Sequence, residues 1–401
     1  MASEISTFNQ TPHSERLHIA LFGRRNVGKS SLINALTGQQ VAIVSDEPGT
    51  TTDPVFKAME IMPLGPCVLI DTAGFDDHGK VGDLRTKRTL NVIKQTDIAI
   101  IVTDGGALTE EMSWITLLKQ AHVPAVAALN KVDLLHAPAY VASDLARKLG
   151  CDVVPVSALD GTGLDLLRQT LAGLAPDHTK LSLTGKLAQG GDLVLLVMPQ
   201  DPQAPKGRLI LPQVQTLRDL LEKGCTAICC TPQDIDRTLA ALREAPRLII
   251  TDSQVFDLVE RKKPAASQLT SFSVLMAAHK GDIDYFVVSA AAIDRLTEQS
   301  RVLIAESCTH APLAEDIGRE KIPRMLRQRY GNNMKVDIVA GKDFPDDVSG
   351  YDLVIHCGGC MFNRRFMLQR VEQCRAQGVP MTNYGIAIAH IKGILDKVAL
   401  P

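Results

Sequence analysis

A glycine-rich segment near the N-terminus constrains the fold more than any other feature of this 401-residue chain. It fits the pattern G-x-x-x-x-G-K-[ST], with the specified positions filled by Gly23, Gly28, Lys29 and Ser30. The segment follows an apolar run of strand length and opens a helical pattern, which is the context that this motif requires. Glycines let such a loop curl until backbone N–H groups and the helix N-terminus face a phosphate. The sequence therefore predicts a P-loop in an α/β domain.

Side chains in and after this loop have the chemistry for a nucleoside triphosphate with its metal. Lys29 supplies a positive charge to the β- and γ-phosphates, and Ser30, followed by Ser31, supplies a hydroxyl ligand for Mg²⁺. A second motif, Asp71-Thr-Ala-Gly74, ends another apolar run. There Asp71 can hold a Mg²⁺-bound water and the Gly74 N–H can meet the γ-phosphate. Both motifs contribute to the predicted catalytic site.

Two further motifs predict which base the site selects. Asn130-Lys131-Val-Asp133 ends one predicted strand, and Ser157-Ala158 follows the next. A carboxylate at Asp133 accepts hydrogen bonds from both N1–H and the exocyclic amine of guanine, and adenine offers no such pair. A backbone amide after Ser157 can reach the guanine carbonyl. Four motifs in this order on one sheet predict GTP as the ligand.

The segment between the first helix and the next predicted strand carries a resemblance to a known branch of GTPases. Its sequence, Pro48-Gly-Thr-Thr-Thr-Asp53, resembles the P-G-T-T-R-D pattern of Era/TrmE-like GTPases, with Thr52 where that branch has arginine. The resemblance implies that Thr51 is a Mg²⁺ ligand and that Asn26 binds K⁺, although Asn26 as a plain loop-capping residue is equally compatible. Phe75 stands where other GTPases place a water-positioning glutamine, so we expect slow intrinsic hydrolysis.

Hydrophobic patterning divides the chain into three predicted α/β domains, 1–177, 178–263 and 264–401. The first alternates strand and helix patterns, as in a doubly wound, mostly parallel sheet. Its predicted strands are Leu17–Phe22, Val68–Ile70, Ile98–Val102, Ala125–Leu129 and Val153–Val156. The second has no charged or glycine-rich cluster, which favours a packing or self-association module.

The third domain contains an unusual grouping of cysteine and histidine. Cys308-Thr-His310 follows one predicted strand, and His356-Cys357-Gly-Gly-Cys360 follows another. Open α/β sheets build their sites at the carboxyl ends of strands, so the two groups are expected to meet. From the residues alone, a [4Fe–4S] cluster open at one iron, a zinc ion and a redox dithiol are all compatible.

An Era-like GTPase domain followed by C-x-H…H-C-x-x-C resembles the HydF family, GTPases that help to mature [FeFe]-hydrogenase. The resemblance implies that the middle domain dimerises and that Cys308, Cys357 and Cys360 hold a [4Fe–4S] cluster. We expect His356 rather than His310 as the fourth ligand because it adjoins Cys357, with a hydrogen-bonding role for His356 as the alternative. The implied partners are apo-[FeFe]-hydrogenase, two radical-SAM maturases, a transient diiron precursor, and further copies of the chain in a homodimer or higher oligomer.

Composition and hydrophobic patterning argue against several other classes of protein. A formal net charge of −2 and 4% aromatic residues argue against an RNA- or ribosome-associated Era/TrmE-like GTPase with a structural zinc, which is the alternative function. No apolar run approaches the roughly 18–20 residues of a membrane helix. Nine cysteines are too few for a disulfide scaffold, and the first residues lack a signal-peptide pattern. We therefore expect a cytoplasmic protein with neither nucleic acid nor membrane as partner.

A basic segment between Arg319 and Arg329 allows two interpretations. The simpler is a solvated helix face. The alternative is a cationic rim that attracts an anionic diiron precursor or a partner protein.

Overall fold

The computed structural model describes residues 11–38, 55–72, 89–176, 181–199, 209–307 and 316–401. It divides into two compact units, Met1–Lys180 and Leu181–Pro401, and both are α/β. In the part of the chain that is described, no helix is both long and apolar enough to cross a membrane.

The first unit is built on a sheet with strand order β2-β3-β1-β4-β5-β6. Its strands are β1 (Leu17–Phe22), β2 (Val55–Ile61), β3 (Gly65–Asp71), β4 (Ile98–Thr103), β5 (Ala125–Leu129) and β6 (Val153–Pro155). Only the pairing of β2 with β3 is antiparallel; the other described pairings are parallel. The structure thus has a strand at each of the five predicted positions, and it adds β2.

Helices cover both faces of this sheet. These helices include α1 (Lys29–Thr37), α2 (Thr109–Gln120), α3 (Pro138–Leu149) and α4 (Leu164–Leu174). Alternate residues of β1 enter two different hydrophobic cores, with Leu21 in one and Phe22 in the other. A strand that is buried on both faces reads as a continuous apolar run, which explains why the predicted strands were found. The predicted doubly wound, mostly parallel fold is confirmed.

The second unit contains two four-stranded sheets, both parallel throughout. The first has the order β10-β9-β7-β8 and the second the order β12-β11-β13-β14. Their strands are β7 (Leu193–Val197), β8 (Thr226–Cys230), β9 (Leu248–Thr251), β10 (Gln268–Ser271), β11 (Arg301–Glu306), β12 (Lys335–Ala340), β13 (Leu353–His356) and β14 (Met381–Asn383).

The helices of this unit lie between and around the two sheets. They are α5 (Leu211–Glu222), α6 (Ile235–Ala241), α7 (Phe256–Lys262), α8 (Phe272–Lys280), α9 (Ile283–Ala290), α10 (Ile322–Tyr330), α11 (Arg364–Ala376) and α12 (Tyr384–Ile391). One hydrophobic core includes Leu195 and Ile249 of the first sheet together with Ile304 and Ile355 of the second. The two sheets therefore share buried surface.

Strand β10 lies on the far side of the predicted boundary between the second and third domains from the sheet to which it belongs. The boundary at 263/264 assigns Gln268–Ser271 to the last domain, but β10 pairs with β9 in the first sheet of the unit. Residue Val398, near the end of the chain, forms a parallel bridge with Leu269 of the same strand. The three predicted domain ranges remain predictions.

Candidate functional site

The P-loop connects β1 to α1 and depends on two glycines. At Gly23 a Cβ would lie 2.4 Å from the Val102 carbonyl oxygen of the neighbouring strand β4. Gly28 has a φ of +95° and a Cβ there would lie 2.3 Å from Nδ2 of Asn130. Real Cβ atoms do not approach other atoms so closely, so both positions require glycine for space, and Gly28 also for its backbone conformation.

The phosphate-binding side chains lie at the start of α1. Lys29 is buried, and its Nζ donates to the carbonyl oxygens of Gly23 and of Arg24, the latter at 2.9 Å. Ser30 Oγ donates to Asp71 Oδ2 at 3.0 Å, and Asp71 ends β3 beside β1. The structure thus brings together the hydroxyl and the carboxylate that the sequence assigned to Mg²⁺.

The base-recognition motifs also meet. Asn130 Nδ2 donates to the Val27 carbonyl at 2.9 Å, and Asn130 Oδ1 accepts from the Ala158 N–H at 3.1 Å. Ser157 Oγ donates to Asp133 Oδ1 at 2.7 Å. Asn130 therefore joins the P-loop to the Ser157-Ala158 segment, and the Asp133 carboxylate is held at the same edge of the sheet.

Of the remaining residues predicted for the nucleotide site, the structure describes three and leaves two outside the described ranges. Asn26 and Lys131 both adopt left-handed φ, of 63° and 62°, and Ser31 is an exposed residue of α1. Thr51 and Gly74 lie outside the described residues, so their assignments stay predictions.

An ion-pair group that the sequence did not predict supports the P-loop from outside. Arg24 lies 2.9 Å from both Asp104 and Glu111, and the Glu111 side chain is fully buried. Lys131 lies 3.9 Å from Asp104. These contacts link the P-loop to the loop after β4 and to the guanine-specificity motif.

In the second unit, the cysteine loop begins where β13 ends. His356 is paired with Ala305 of β11, and the Cys357 N–H donates to the Ala305 carbonyl at 2.9 Å. Ser307, the last described residue before the predicted ligand Cys308, donates its N–H to Cys357 Sγ at 3.1 Å. The carboxyl ends of β11 and β13 therefore lie side by side, as the sequence predicted, although Cys308 and His310 lie outside the described residues.

Both glycines of the cysteine loop face neighbouring side chains. A Cβ at Gly358 would lie 3.2 Å from Cβ of Met276 in α8. Gly359 has a φ of +69°, and a Cβ there would lie 2.7 Å from Sδ of Met367 in α11. The turn between Cys357 and Cys360 is consequently tight and packed on two helices.

His356 is fully buried, and both of its ring nitrogens have protein partners. Nδ1 lies 2.9 Å from the Cys357 carbonyl oxygen and Nε2 lies 2.6 Å from Arg370 Nη1. Burial, and then the adjacent Arg370 guanidinium, lower the pKa of His356 to about 3, so the ring is neutral. With both nitrogens engaged, this arrangement favours the hydrogen-bonding alternative for His356 over the predicted iron-ligand role.

Within the described ranges, no group of three or more His, Cys, Asp or Glu side chains is arranged to hold a metal ion. Cys357 and Cys360 are both half-buried in that part of the chain.

The basic segment between Arg319 and Arg329 forms ion pairs with acidic side chains of the same unit. Arg319 lies 3.0 Å from Glu306, and Arg329 lies 3.0 Å from Asp294. The positive charges of Arg319 and Arg329 are therefore each balanced by a neighbouring carboxylate. For these two residues, the contacts favour an ordinary helix face over a cationic rim that attracts an anionic ligand.

The P-loop, the Mg²⁺-type Ser30–Asp71 contact and the Asn130–Asp133 motif on one doubly wound sheet define a P-loop GTPase domain. A family model described as 50S ribosome-binding GTPase matches 18–131. Models described as Hydrogen maturase F dimerization domain and tetramerization domain match 183–281 and 284–401, together more than half of the chain. The chain belongs to the hydrogen maturase F (HydF) family.

Curated relatives match through the GTPase domain. The tRNA modification GTPase MnmE of Xylella fastidiosa (strain Temecula1) is 38% identical over 175 residues, covering 43% of this chain and 37% of that protein. MnmE of Burkholderia thailandensis is 39% identical over 166 residues, with 40% and 35% covered. The chain thus spans little more than a third of the length of these relatives.

Two solved structures resemble parts of the chain. Era in complex with MgGDPNP and part of 16S ribosomal RNA has a TM-score of 0.36 and 19% identity, covering 55% of this chain and 93% of that one. The G domain of the T. maritima FeoB iron transporter has a TM-score of 0.32 and 25% identity, covering 40% and 98%.

Proposed function

We propose that the chain is a GTP-binding and GTP-hydrolysing iron–sulfur scaffold or carrier that assembles or delivers the diiron subcluster to apo-[FeFe]-hydrogenase. One observation supports it above the others: the strand that leads into Cys308 ends beside the loop that carries Cys357 and Cys360. Membership of the HydF family supports the same function.

The three cysteines are the proposed ligands of a [4Fe–4S] cluster. Thiolates are the ligands that such clusters use, and a hydrogen bond from the Ser307 N–H to Cys357 Sγ stabilises negative charge on that sulfur. For the fourth position we propose His310 or an exogenous ligand, because both His356 nitrogens have protein partners. When bound, a cluster with an exchangeable position offers one iron to a bridging ligand of a transient diiron precursor.

In the GTPase domain, the proposed catalytic groups are Lys29, Thr51, Asp71 and Gly74. Lys29 neutralises phosphate charge, Ser30 and Thr51 hold Mg²⁺, and the backbone N–H of Gly74 contacts the γ-phosphate. We propose that hydrolysis is intrinsically slow and gates partner exchange.

We propose apo-[FeFe]-hydrogenase and two radical-SAM maturases as partners, and the cytoplasm as the location. Nucleic acid and membranes are not among the proposed partners. The dimerization and tetramerization domain matches support self-association into a homodimer or larger assembly.

Metal analysis of anaerobically purified protein tests this function. Brown protein with about four irons is expected, because a [4Fe–4S] cluster contains that number. Cys357→Ala should lose most of the iron and all activation of apo-hydrogenase. The matched control is Cys374→Ala, because Cys374 is a buried cysteine in α11 that the proposal does not use. Colourless protein with one zinc would favour a ribosome-associated GTPase instead.

Potassium dependence tests the proposed role of Asn26. GTP turnover should rise when K⁺ replaces Na⁺, because K⁺ beside the phosphates adds positive charge where negative charge develops. Asn26→Ala should respond little to this exchange. Equal rates in both salts for the unsubstituted protein would remove K⁺ from the proposal and leave GTP binding intact.

A further inference from the structure

Helix α11 buries an arginine in the face that it turns toward the interior. Arg370 is only 4% exposed and lies one turn from Phe366 and one turn from Cys374, both also buried. Residues four apart lie on the same face of a helix. A guanidinium keeps its proton in proteins, so this face carries a buried positive charge. Such a charge is costly unless its surroundings compensate for it.

Three aromatic rings surround the guanidinium. Its Cζ lies 4.8 Å from the ring centroids of Phe344 and Phe362 and 4.9 Å from that of Phe366. Cation–π attraction of this kind stabilises the ion, but the rings carry no net charge. The three rings therefore stabilise the Arg370 guanidinium but leave its positive charge without a balancing negative charge.

The hydrogen-bond acceptors of Arg370 are neutral as well. Nη1 lies 2.6 Å from Nε2 of the neutral His356 ring, and Nη2 donates to the Gly341 carbonyl at 2.6 Å. Nε is buried and has no hydrogen-bond partner among the described residues. Across those same residues, no Asp or Glu forms an ion pair with Arg370.

The guanidinium contacts both flanks of the cysteine loop. His356 directly precedes Cys357, and Phe362 follows Cys360 by two residues. The His356 ring in turn hydrogen-bonds the Cys357 carbonyl at 2.9 Å. Arg370 thus fixes the entry and the exit of the loop while bringing a positive charge to it.

We propose that Arg370 is the positioning residue of the cysteine loop and the permanent positive charge that balances a thiolate-ligated iron–sulfur cluster there. The inference rests on the proposed cluster site. Three thiolates leave a [4Fe–4S] cluster with net negative charge, and one-electron reduction makes it more negative. A fixed cation nearby stabilises the reduced form more than the oxidised form and so raises the reduction potential.

Arg370→Met tests the charge, because it removes the cation and keeps much of the side-chain volume. We expect the equilibrium to shift about tenfold toward the oxidised cluster, which lowers the midpoint potential by about 59 mV for a one-electron couple. Potentiometric titration followed by electron paramagnetic resonance measures this shift. Arg370→Lys keeps the charge and should keep both the iron content and a potential closer to that of the unsubstituted protein.

The matched control is Arg375→Met on the same helix. Arg375 also stacks on an aromatic ring, that of Tyr285 at 4.5 Å, but it is 43% exposed and pairs with Asp282 and Glu372. This variant should leave the potential unchanged.

The outcomes separate the inference from the proposed function. Absence of iron in the unsubstituted protein would contradict the cluster site itself. Iron-loaded Arg370→Met with an unchanged potential would overturn the role of Arg370 alone. Where Arg370→Met does not fold, Arg370→Lys decides: folded protein with full iron supports the charge role, and folded protein without iron overturns it.

Discussion

The two candidate sites differ in how the chain holds their functional groups. In the nucleotide site, motif residues hold one another: Ser30 donates to Asp71, and Asn130 joins the P-loop to the Ala158 N–H. In the cysteine loop, the supporting contacts come from Ser307 and Arg370, which belong to no recognised motif. Among the described residues, the nucleotide-binding motifs therefore supply several of the contacts that hold them together, whereas the motif of the second site supplies only its proposed ligands.

Lys29→Ala should have the largest effect and tests whether the two sites are independent. Removing the ammonium that contacts the phosphates should abolish GTP hydrolysis, measured as phosphate release at saturating GTP. Iron content should stay unchanged, because the proposed cluster residues lie in the other compact unit. Lys148→Ala, at an exposed lysine paired with Asp144, is the control and should keep full turnover. Loss of iron in Lys29→Ala would show that the two units depend on each other.

Asp133→Asn should have the next largest effect, confined to base selection. The amide cannot accept from both guanine donors, so guanine affinity should fall by about 10⁴-fold, the scale for a site whose buried hydrogen-bonding groups are left unmatched. Competition binding of GTP against ATP measures the change. Asp160→Asn, at an exposed carboxyl in the loop after Ser157, should leave the preference intact. Undiminished discrimination against ATP in Asp133→Asn would contradict the assignment.

For the fold, the sequence predicted strands that are marked by a continuous apolar run and did not predict several that lack one. Strands buried on both faces, such as Leu17–Phe22, form continuous apolar runs and were located to within a few residues. Strand β2 was missed because it is an antiparallel strand with several exposed positions, so no apolar run marks it. Strand β10 carries buried polar residues, including Thr270 and Ser271, so no apolar run marks it either.

For the cysteine loop, the sequence did not show which distant residues pack against the loop. The prediction that His356 ligates iron followed from its position beside Cys357, but its surroundings depend on Arg370, fourteen positions later. The sequence does carry a signal for this contact: the charged Arg370 lies at helical spacing between Phe366 and Cys374, on the apolar face of α11. Helical spacing places such a residue on the face that packs against the core, but it does not identify the group that the residue contacts.

Gly359→Ala should have the smallest effect and tests how strictly the cysteine loop is packed. Gly378→Ala is the matched control, since both glycines have nearly the same left-handed φ, +69° and +70°, and they flank the same helix, Gly359 before α11 and Gly378 after it. A Cβ at Gly378 meets nothing within 4 Å, whereas one at Gly359 would lie 2.7 Å from Met367 Sδ.

The backbone cost of alanine in this conformation is about 1–2 kcal/mol and is common to both variants. Overpacking against Met367 adds about 1–3 kcal/mol in Gly359→Ala only. Thermal unfolding should therefore show a lower melting temperature for Gly359→Ala than for Gly378→Ala, and iron content should fall in the first variant alone. Equal losses of stability would mean that α11 shifts to accommodate the methyl group. Lower stability with full iron in Gly359→Ala would mean that the turn between Cys357 and Cys360 can move without loss of the cluster. The contacts of Arg370 and Ser307, rather than close packing of the glycines, would then determine where Cys357 lies.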